Sequence, residues 1–527
     1  SEDAEAEPDR LLEVLDRRLL ELGEREVALH LAELAFWRAE GIPYGRGRAG
    51  ALYLASAEYA YAYLFDESLG PKASPFDASF RHACEYYNRS IAKIATMVRE
   101  SGKRGVTELK LPSLRRDVLV QRGRVDFDIG LQGFEDFQSC YRYEVANFEG
   151  AVRFLGLGAP FFATVSVPKP GRPEGSLILD NFSRPLPATA LMRFEGSIRD
   201  PGPGPRKATF DVFDTLKTTT TRIGQTEVAL ETDLTTPLVR TLAVNPSYSG
   251  IKAMLDPESF RRFSGLIPVQ PFDPERIPLV FVHGLTSAPM TWLRLYQDLL
   301  ADPLIRTRFQ IWAFRYPTGD PILVSAARFR AALAEARKTL DPEGKHRALH
   351  DMVVVGHSMG GLLTSMQVRT TGNRLWEKVS STPFEEFKLS EEGRALVRPV
   401  LFFERNPDIR RVVFMAAPHR GAEMAQSFFG RLGASLVRVA GKIGSTATEF
   451  QKSLAEDPGA HVPPRFLESM TGIDGLRPDN PFLVEIAGWP IPPEVVAHSI
   501  IGNHEEADTP AGTDTIVPYW SSHLEGV

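Results

Sequence analysis

The sequence has little cysteine, no long apolar run and no excess of positive charge. Its 527 residues include two cysteines, Cys84 and Cys140, and no CxxC pair. A cysteine-ligated metal site is therefore excluded, while one disulfide or two buried thiols both fit. No stretch of about eighteen apolar residues occurs, so no transmembrane helix is expected. The opening "SEDAEAEPDR" lacks the charged-then-apolar layout of a secretory signal. It fits a start left after signal removal, or a trimmed one. With 61 Lys and Arg against 67 Asp and Glu the net charge is −6, which excludes the basic footprint of a nucleic-acid binder. HExxH and phosphate-loop motifs are also missing, so no metal and no organic cofactor is expected.

What is present is an ordinary globular composition, 43% hydrophobic and 24% charged, in a chain too long for one core. Two or three domains are expected. Residues 1–117 read as a helical region. Leu12, Leu15, Leu19 and Leu22 form a stripe at helical spacing, and "ALYLASAEYAYAYLF" and "FRHACEYYNRSIAKIATMVRE" continue the pattern without a clean repeat. Residues 118–265 change period. "VDFDIG", "FFATVSV", "ALMRFEGSI" and "KATFDVFDTL" are short strand-like runs separated by "PKPGRPEG" and "RDPGPGPRK", which is turn chemistry. This β-rich domain shows no catalytic motif and reads as a structural or docking module.

Residues 266–527 change period again. "IPLVFVHG", "FQIWAFRYP", "MVVVG", "RRVVFMAAP" and "VVAHSIIGN" are apolar strands, alternating with helical runs such as "MTWLRLYQDLL" and "AARFRAALAEARKTL". That alternation predicts an α/β domain, a mostly parallel sheet covered on both faces. The proline-bearing "GLIPVQPFDPERIP" reads as the boundary.

"VVVGHSMGG" carries the chemistry. Gly356, His357, Ser358, Met359 and Gly360 form a Gly-x-Ser-x-Gly motif between an apolar strand and a small-residue helix start. A serine there stands on a tight strand-to-helix turn with its hydroxyl clear of the sheet, and the flanking glycines spare the turn a clash. "VFVHGLTSAP" ends an earlier strand, where half of an oxyanion hole belongs. Such a hole needs two backbone N–H groups aimed at the developing charge. The expected donors are Met359 and Leu285, with Thr286 as neighbour. His283 is expected to order this loop rather than act as a base.

Together "VFVHGLTSAPMTW", "FRYPTGDPI", "VVVGHSMGGLL", "AAPHRG" and "TDTIVPYWSSHL" resemble the α/β-hydrolase superfamily. Within it they are similar to large bacterial esterase- or lipase-like proteins, many of them lipoproteins. The resemblance is strongest over residues 277–527, with "AEYAYAYLFD" and "TDLTTPL" as weaker matches upstream. It implies an α/β-hydrolase fold and a serine ester hydrolase working through an acyl-enzyme on a small-molecule or lipid-like ester. It also implies export to the periplasm or outer membrane, with a lipid anchor that this chain does not carry. The rivals are transfer to an alcohol, thioester cleavage, or an inactive hydrolase fold used as a binding or envelope module.

The family order of nucleophile, acid and histidine places Ser358 as nucleophile and Asp514 as acid, with Asp508 its nearest competitor and an Asx turn the structural alternative. The histidine should follow about one strand later. The resemblance therefore implies that the last strand and the histidine loop lie beyond Val527, with His523 as the alternative within the chain. His498 reads as buried structure, and His419 as lining the pocket mouth. Two insertions, about 373–408 and 419–480, are expected to cap the site. The first should start a helix after Ser381. The second carries Met424, Phe428, Leu432 and Leu436 at helical spacing, read as an acyl pocket or as a plain surface pair of helices.

Overall fold

In a computed structural model the described residues are 2–43, 47–102, 107–127, 136–143, 152–165, 184–200, 202–242, 250–261, 264–422, 444–462, 474–504 and 512–527. Among them the chain divides into two compact units, with the break after Thr241.

The first unit opens with helices α1 (Glu2–Leu22), α2 (Arg25–Glu40), α3 (Gly47–Phe65) and α4 (Ala78–Glu100). From Leu52 to Leu64 every residue of α3 is buried. A helix small or apolar around its whole circumference must be enclosed on all sides. What encloses it includes the strands that follow. These are β1 (Glu108–Leu111), β2 (Val118–Val125), β3 (Asp136–Ser139), β4 (Arg153–Phe154), β5 (Ala159–Val165), β6 (Arg184–Phe194), β7 (Arg206–Asp214), β8 (Thr220–Ile223), β9 (Thr226–Ala229) and β10 (Thr232–Asp233), followed by α5 (Thr235–Leu242). Six of them form a sheet in the order β1-β2-β7-β6-β5-β3. Tyr61 of α3 packs edge-on against Phe194 of β6, and the Tyr87 hydroxyl of α4 accepts the Met192 N–H at 2.8 Å.

The helical and β-rich regions thus share one apolar core, and the boundary drawn at 117 does not separate two cores. Of the described residues of "VDFDIG", 125–127, Val125 alone lies in a strand, at the end of β2; residues 128–130 lie outside the described residues. Cys84 and Cys140 are free and buried, and desolvation pushes the Cys84 thiol up to about 12.

The second unit contains α6 (Gly250–Leu255), α7 (Pro257–Arg261), β11 (Gly265–Pro268), β12 (Ile277–Val282), α8 (Leu293–Ala301), α9 (Pro303–Arg308), β13 (Phe309–Arg315), α10 (Ile322–Leu340), β14 (Met352–His357) and α11 (Met359–Ser365). Then come α12 (Arg374–Glu377), α13 (Glu391–Leu401), β15 (Ile409–Met415), α14 (Gly444–Glu456), α15 (Pro481–Ala487), β16 (Val496–Ile500) and α16 (Tyr519–Ser522). The sheet order is β11-β13-β12-β14-β15-β16, parallel except for β11. This is the mostly parallel sheet expected from the alternation of strands and helices, and the α/β-hydrolase fold that the resemblance implies. Val280, Val282 and Val354 are fully buried, each contributing about 1.5–3 kcal/mol by leaving water.

Three details differ from expectation. The supposed linker at 265 begins with β11, because Leu266 and Ile267 are apolar enough to be buried at the sheet's edge. The first insertion starts its helix at Ser390, not after Ser381, since the Ser390 side chain caps α13 by accepting the Gly393 N–H at 3.0 Å. Coverage on both faces does not extend to β16, which among the described residues is an edge strand with Val496, His498 and Ile500 exposed on one face and Ala497 and Ser499 half-buried on the other. His498 is therefore not buried structure; its Nε2 meets Arg411 at the surface.

Candidate active site

From β12 the chain crosses to β13 on one side and later to β14 on the other. The strand order reverses there, and the crevice beyond the carboxyl ends of such strands is where open α/β sheets bind ligands. Both sequence motifs sit at this point. "HGL" follows β12, and Ser358 follows β14.

Ser358 has φ 52° and ψ −125°, a strained conformation for a residue with a side chain. Its N–H is held by the Met415 carbonyl at 2.9 Å and its carbonyl accepts the Gly361 N–H at 2.8 Å. The glycines around it are dictated by close approach. A Cβ on Gly356 would lie 2.4 Å from the Gly360 oxygen, and one on Gly360 would lie 2.3 Å from the Val282 oxygen. Strand β12 and helix α11 therefore touch backbone to backbone beneath the serine. A Cβ on Gly284 would lie 3.0 Å from that of Ser358, which sets the "HGL" turn directly beside the hydroxyl.

Among the described residues neither the Leu285 nor the Met359 amide donates a backbone hydrogen bond in its turn, whereas the Thr286 amide is taken by Thr318 Oγ1 at 3.3 Å. His283 is fully buried, stacks on Tyr316 with ring centroids 4.5 Å apart, and is pushed down to about 4 by desolvation.

Asp514 lies in a tight turn after β16. Its Oδ1 accepts the N–H groups of Ile516 and Val517 at 2.8 and 2.6 Å. This is the Asx-type turn weighed against an acid role, and the two are compatible. Among the described residues Oδ2 has no hydrogen-bond partner. A Cβ on Gly502 would lie 2.8 Å from the Asp514 Cβ, so the end of β16 packs against this turn. Burial lowers the His357 pKa, partly offset by the Asp514 charge; the carboxylate thus acts on the residue next to the serine.

No histidine ring is hydrogen-bonded to Ser358 or Asp514 among the described residues. The His523 ring stacks on Tyr519 at 5.3 Å while its carbonyl accepts Arg420 Nη1 at 2.6 Å. His419 is buried against Phe414 and pushed down to about 3 by desolvation. His504 is exposed, with its N–H on the Thr513 carbonyl. Asp508, Met424, Phe428, Leu432 and Leu436 lie outside the described residues. The described parts of the two insertions pack together. Trp376 contacts Phe384, Phe387 and Phe450, while Thr382 Oγ1 donates to Asp457 at 2.6 Å.

Sequence reasoning missed how strain is distributed. Among the described residues, the non-glycine residues with positive φ are Thr286, Ser358, Ala416 and Thr515. They follow β12, β14 and β15 and lie beside Asp514. Strained backbone of this kind clusters at functional sites. Only the Ser358 position has a sequence signal, the flanking glycines.

Residues 279–522 match the model of the Alpha/beta hydrolase family. Solved structures that match part of the chain include the mature lipase of Bacillus licheniformis, at 14% identity and TM-score 0.28, with 49% of this chain and 85% of the lipase covered. Phospholipase PlaB from Legionella pneumophila matches at 14% identity and TM-score 0.28, over 47% of this chain and 45% of that one. Esterase B from Lactobacillus rhamnosis matches at 14% and 0.20, over 37% and 55%. The matched region thus spans less than half of the phospholipase. No curated protein sequence matches the chain.

Proposed function

We propose that this α/β-hydrolase domain is a serine ester hydrolase. The observation that carries the reading is Ser358, held at φ 52° beside two amides, Leu285 and Met359, that among the described residues donate no backbone hydrogen bond in their turns. In the proposed reaction Ser358 Oγ attacks the ester carbonyl while its proton passes to a histidine oriented by Asp514 Oδ2. The Leu285 and Met359 amides hold the oxyanion, where removing one donor typically costs about 10²–10³ in rate. The alcohol leaves with the proton, and water then attacks the acyl-enzyme to release the acid. The ester is a small or lipid-like molecule, and the place of action is the periplasm or outer membrane. Both follow from the family resemblance. Among the described residues no helix is long and apolar enough to cross a membrane.

One observation favours a second reading, an inactive hydrolase fold that binds rather than cleaves: no described histidine bonds to Ser358 or Asp514. Intact mass before and after a fluorophosphonate separates the two. The hydrolase reading expects one adduct, lost in Ser358→Ala. A folded wild-type chain that takes no adduct would remove the active-hydrolase reading for this chain, leaving a binding module or a site short of its histidine.

A further inference from the structure

We infer that Tyr316 and Thr318 are positioning residues that set the direction of the Leu285 amide. The inference rests on the ester-hydrolase reading and deepens it. Residues 284–287 form a four-residue turn, closed by the Ser287 N–H on the Gly284 carbonyl at 3.3 Å. Leu285 and Thr286 are its central residues. The second of them has φ 58°, a position normally taken by glycine. A β-branched threonine there is an outlier and does not hold that conformation unaided.

Two contacts fix it, one on each side of the Gly284–Leu285 pair. Downstream, the Thr286 N–H donates to Thr318 Oγ1 at 3.3 Å. Upstream, the Tyr316 hydroxyl donates to the His283 carbonyl at 2.7 Å, and its ring stacks on the imidazole. With the Thr286 amide engaged and the His283 carbonyl held, the peptide between them has little freedom to turn. Among the described residues the Leu285 N–H has no hydrogen-bond acceptor competing for it.

Both contacts come from one short segment after β13, which is itself anchored. Tyr316 and Thr318 are fully buried. The Asp320 N–H closes a turn on the Pro317 carbonyl at 3.3 Å. The buried Asp320 carboxylate accepts Arg261 Nη2 at 2.7 Å and also pairs with Arg328. The segment is a fixed post against which the strained turn is braced.

The test is the rate of Ser358 labelling by an alkyl fluorophosphonate, resolved into kinact and KI, with Tm measured alongside. Thr318→Val keeps the shape and leaves the Thr286 amide unpaired. It should lower kinact by about tenfold to a hundredfold, below the loss of a whole donor, with KI and Tm close to wild type. Thr318→Ser restores the acceptor and should restore kinact. Tyr316→Phe removes only the hydroxyl and should also lower kinact, which keeps the test alive if the valine variant does not fold. Wild-type kinact in both Thr318→Val and Tyr316→Phe overturns the brace, as does equal slowing in the valine and serine variants. A wild type that does not label through Ser358 removes the ester-hydrolase reading itself, and the brace with it.

Discussion

Gly360→Ala should destabilise the second unit far more than its single methyl suggests. The added Cβ would lie 2.3 Å from the Val282 oxygen, 2.5 Å from the His283 oxygen and 2.7 Å from the Val282 carbonyl carbon. A real Cβ contact is ordinarily beyond 3.4 Å, so α11 must retreat from β12 by about an ångström. The obstacles are backbone atoms of a central strand, paired on both sides by β13 and β14, and cannot rotate away. Overpacking of this sort costs about 1–3 kcal/mol, and the upper end applies where nothing flexible can yield. At about 2–4 °C per kcal/mol for a domain of this size, Tm should fall by roughly 6–12 °C. Retreat of α11 also carries the Met359 amide away from Leu285, so Ser358 labelling should slow in the protein that remains folded. Gly488→Ala is the control. Its Cβ would meet only ordinary contacts, 3.5 Å from the Glu485 oxygen, and its Tm should stay within about 2 °C of wild type. Differential scanning calorimetry of the two variants decides the matter. A Gly360→Ala protein that melts with the wild type would refute the backbone contact beneath the serine.

Two further outcomes are expected. Asp514→Asn keeps an oxygen for the Ile516 and Val517 amides, so Tm should hold, while ester turnover should fall by about 10³–10⁴ through loss of the charge that orients the base. Wild-type turnover in that variant would remove Asp514 as the acid. His283 and His419 are buried neutral, pushed down to about 4 and about 3 from an ordinary 6.5. Below 6.5 the unfolded chain takes up protons that the folded chain does not. Stability is therefore full above pH 6.5 and falls toward the folded values, by about 1.4 kcal/mol per pH unit for each ring. His419→Gln should flatten the urea-midpoint profile between pH 6 and 4. An unchanged slope would show that His419 takes up its proton in the folded state.

The legible parts of the fold were those written in consecutive residues. The runs at 277–282, 309–315, 352–357, 409–415 and 496–500 are rich in apolar, largely β-branched or aromatic residues, and all five are strands of the parallel sheet. The serine elbow was legible because its glycines stand at fixed spacing around the serine, although what forces Gly360 is Val282, far away along the chain. What stayed hidden depends on distance along the chain. Tyr87 meets Met192 across about a hundred positions, so nothing in "ACEYYNRS" says that the helical region shares its core with strands. Thr318 and Thr286 are ordinary polar residues in sequence; only the fold puts one against the other. The exposure of Val496 and Ile500 was hidden for the same reason, since an apolar strand reads alike at the centre of a sheet and at its edge.

The four strained residues share a further property that bears on why the strain persists. Each has its own amide tied. Thr286 donates to Thr318 Oγ1 and Ser358 to the Met415 carbonyl, while Ala416 donates to the Ile500 carbonyl and Thr515 to Thr513 Oγ1 at 3.1 Å. A left-handed conformation in a residue with a side chain costs on the order of 1–3 kcal/mol and relaxes unless its surroundings over-determine it. Here the constraint is supplied by neighbouring strand ends, two of the four bonds crossing directly from one strand terminus to the next. Among the described residues the Leu285 and Met359 amides, each next in sequence to a strained residue, donate no backbone hydrogen bond in their turns. Tying one amide of a pair while freeing the other fixes the free group's direction without occupying it, which is the preorganisation a developing negative charge requires. A sheet end that served only to pack would gain nothing by keeping such strain, and local rules are broken in folded proteins chiefly where a site needs the geometry.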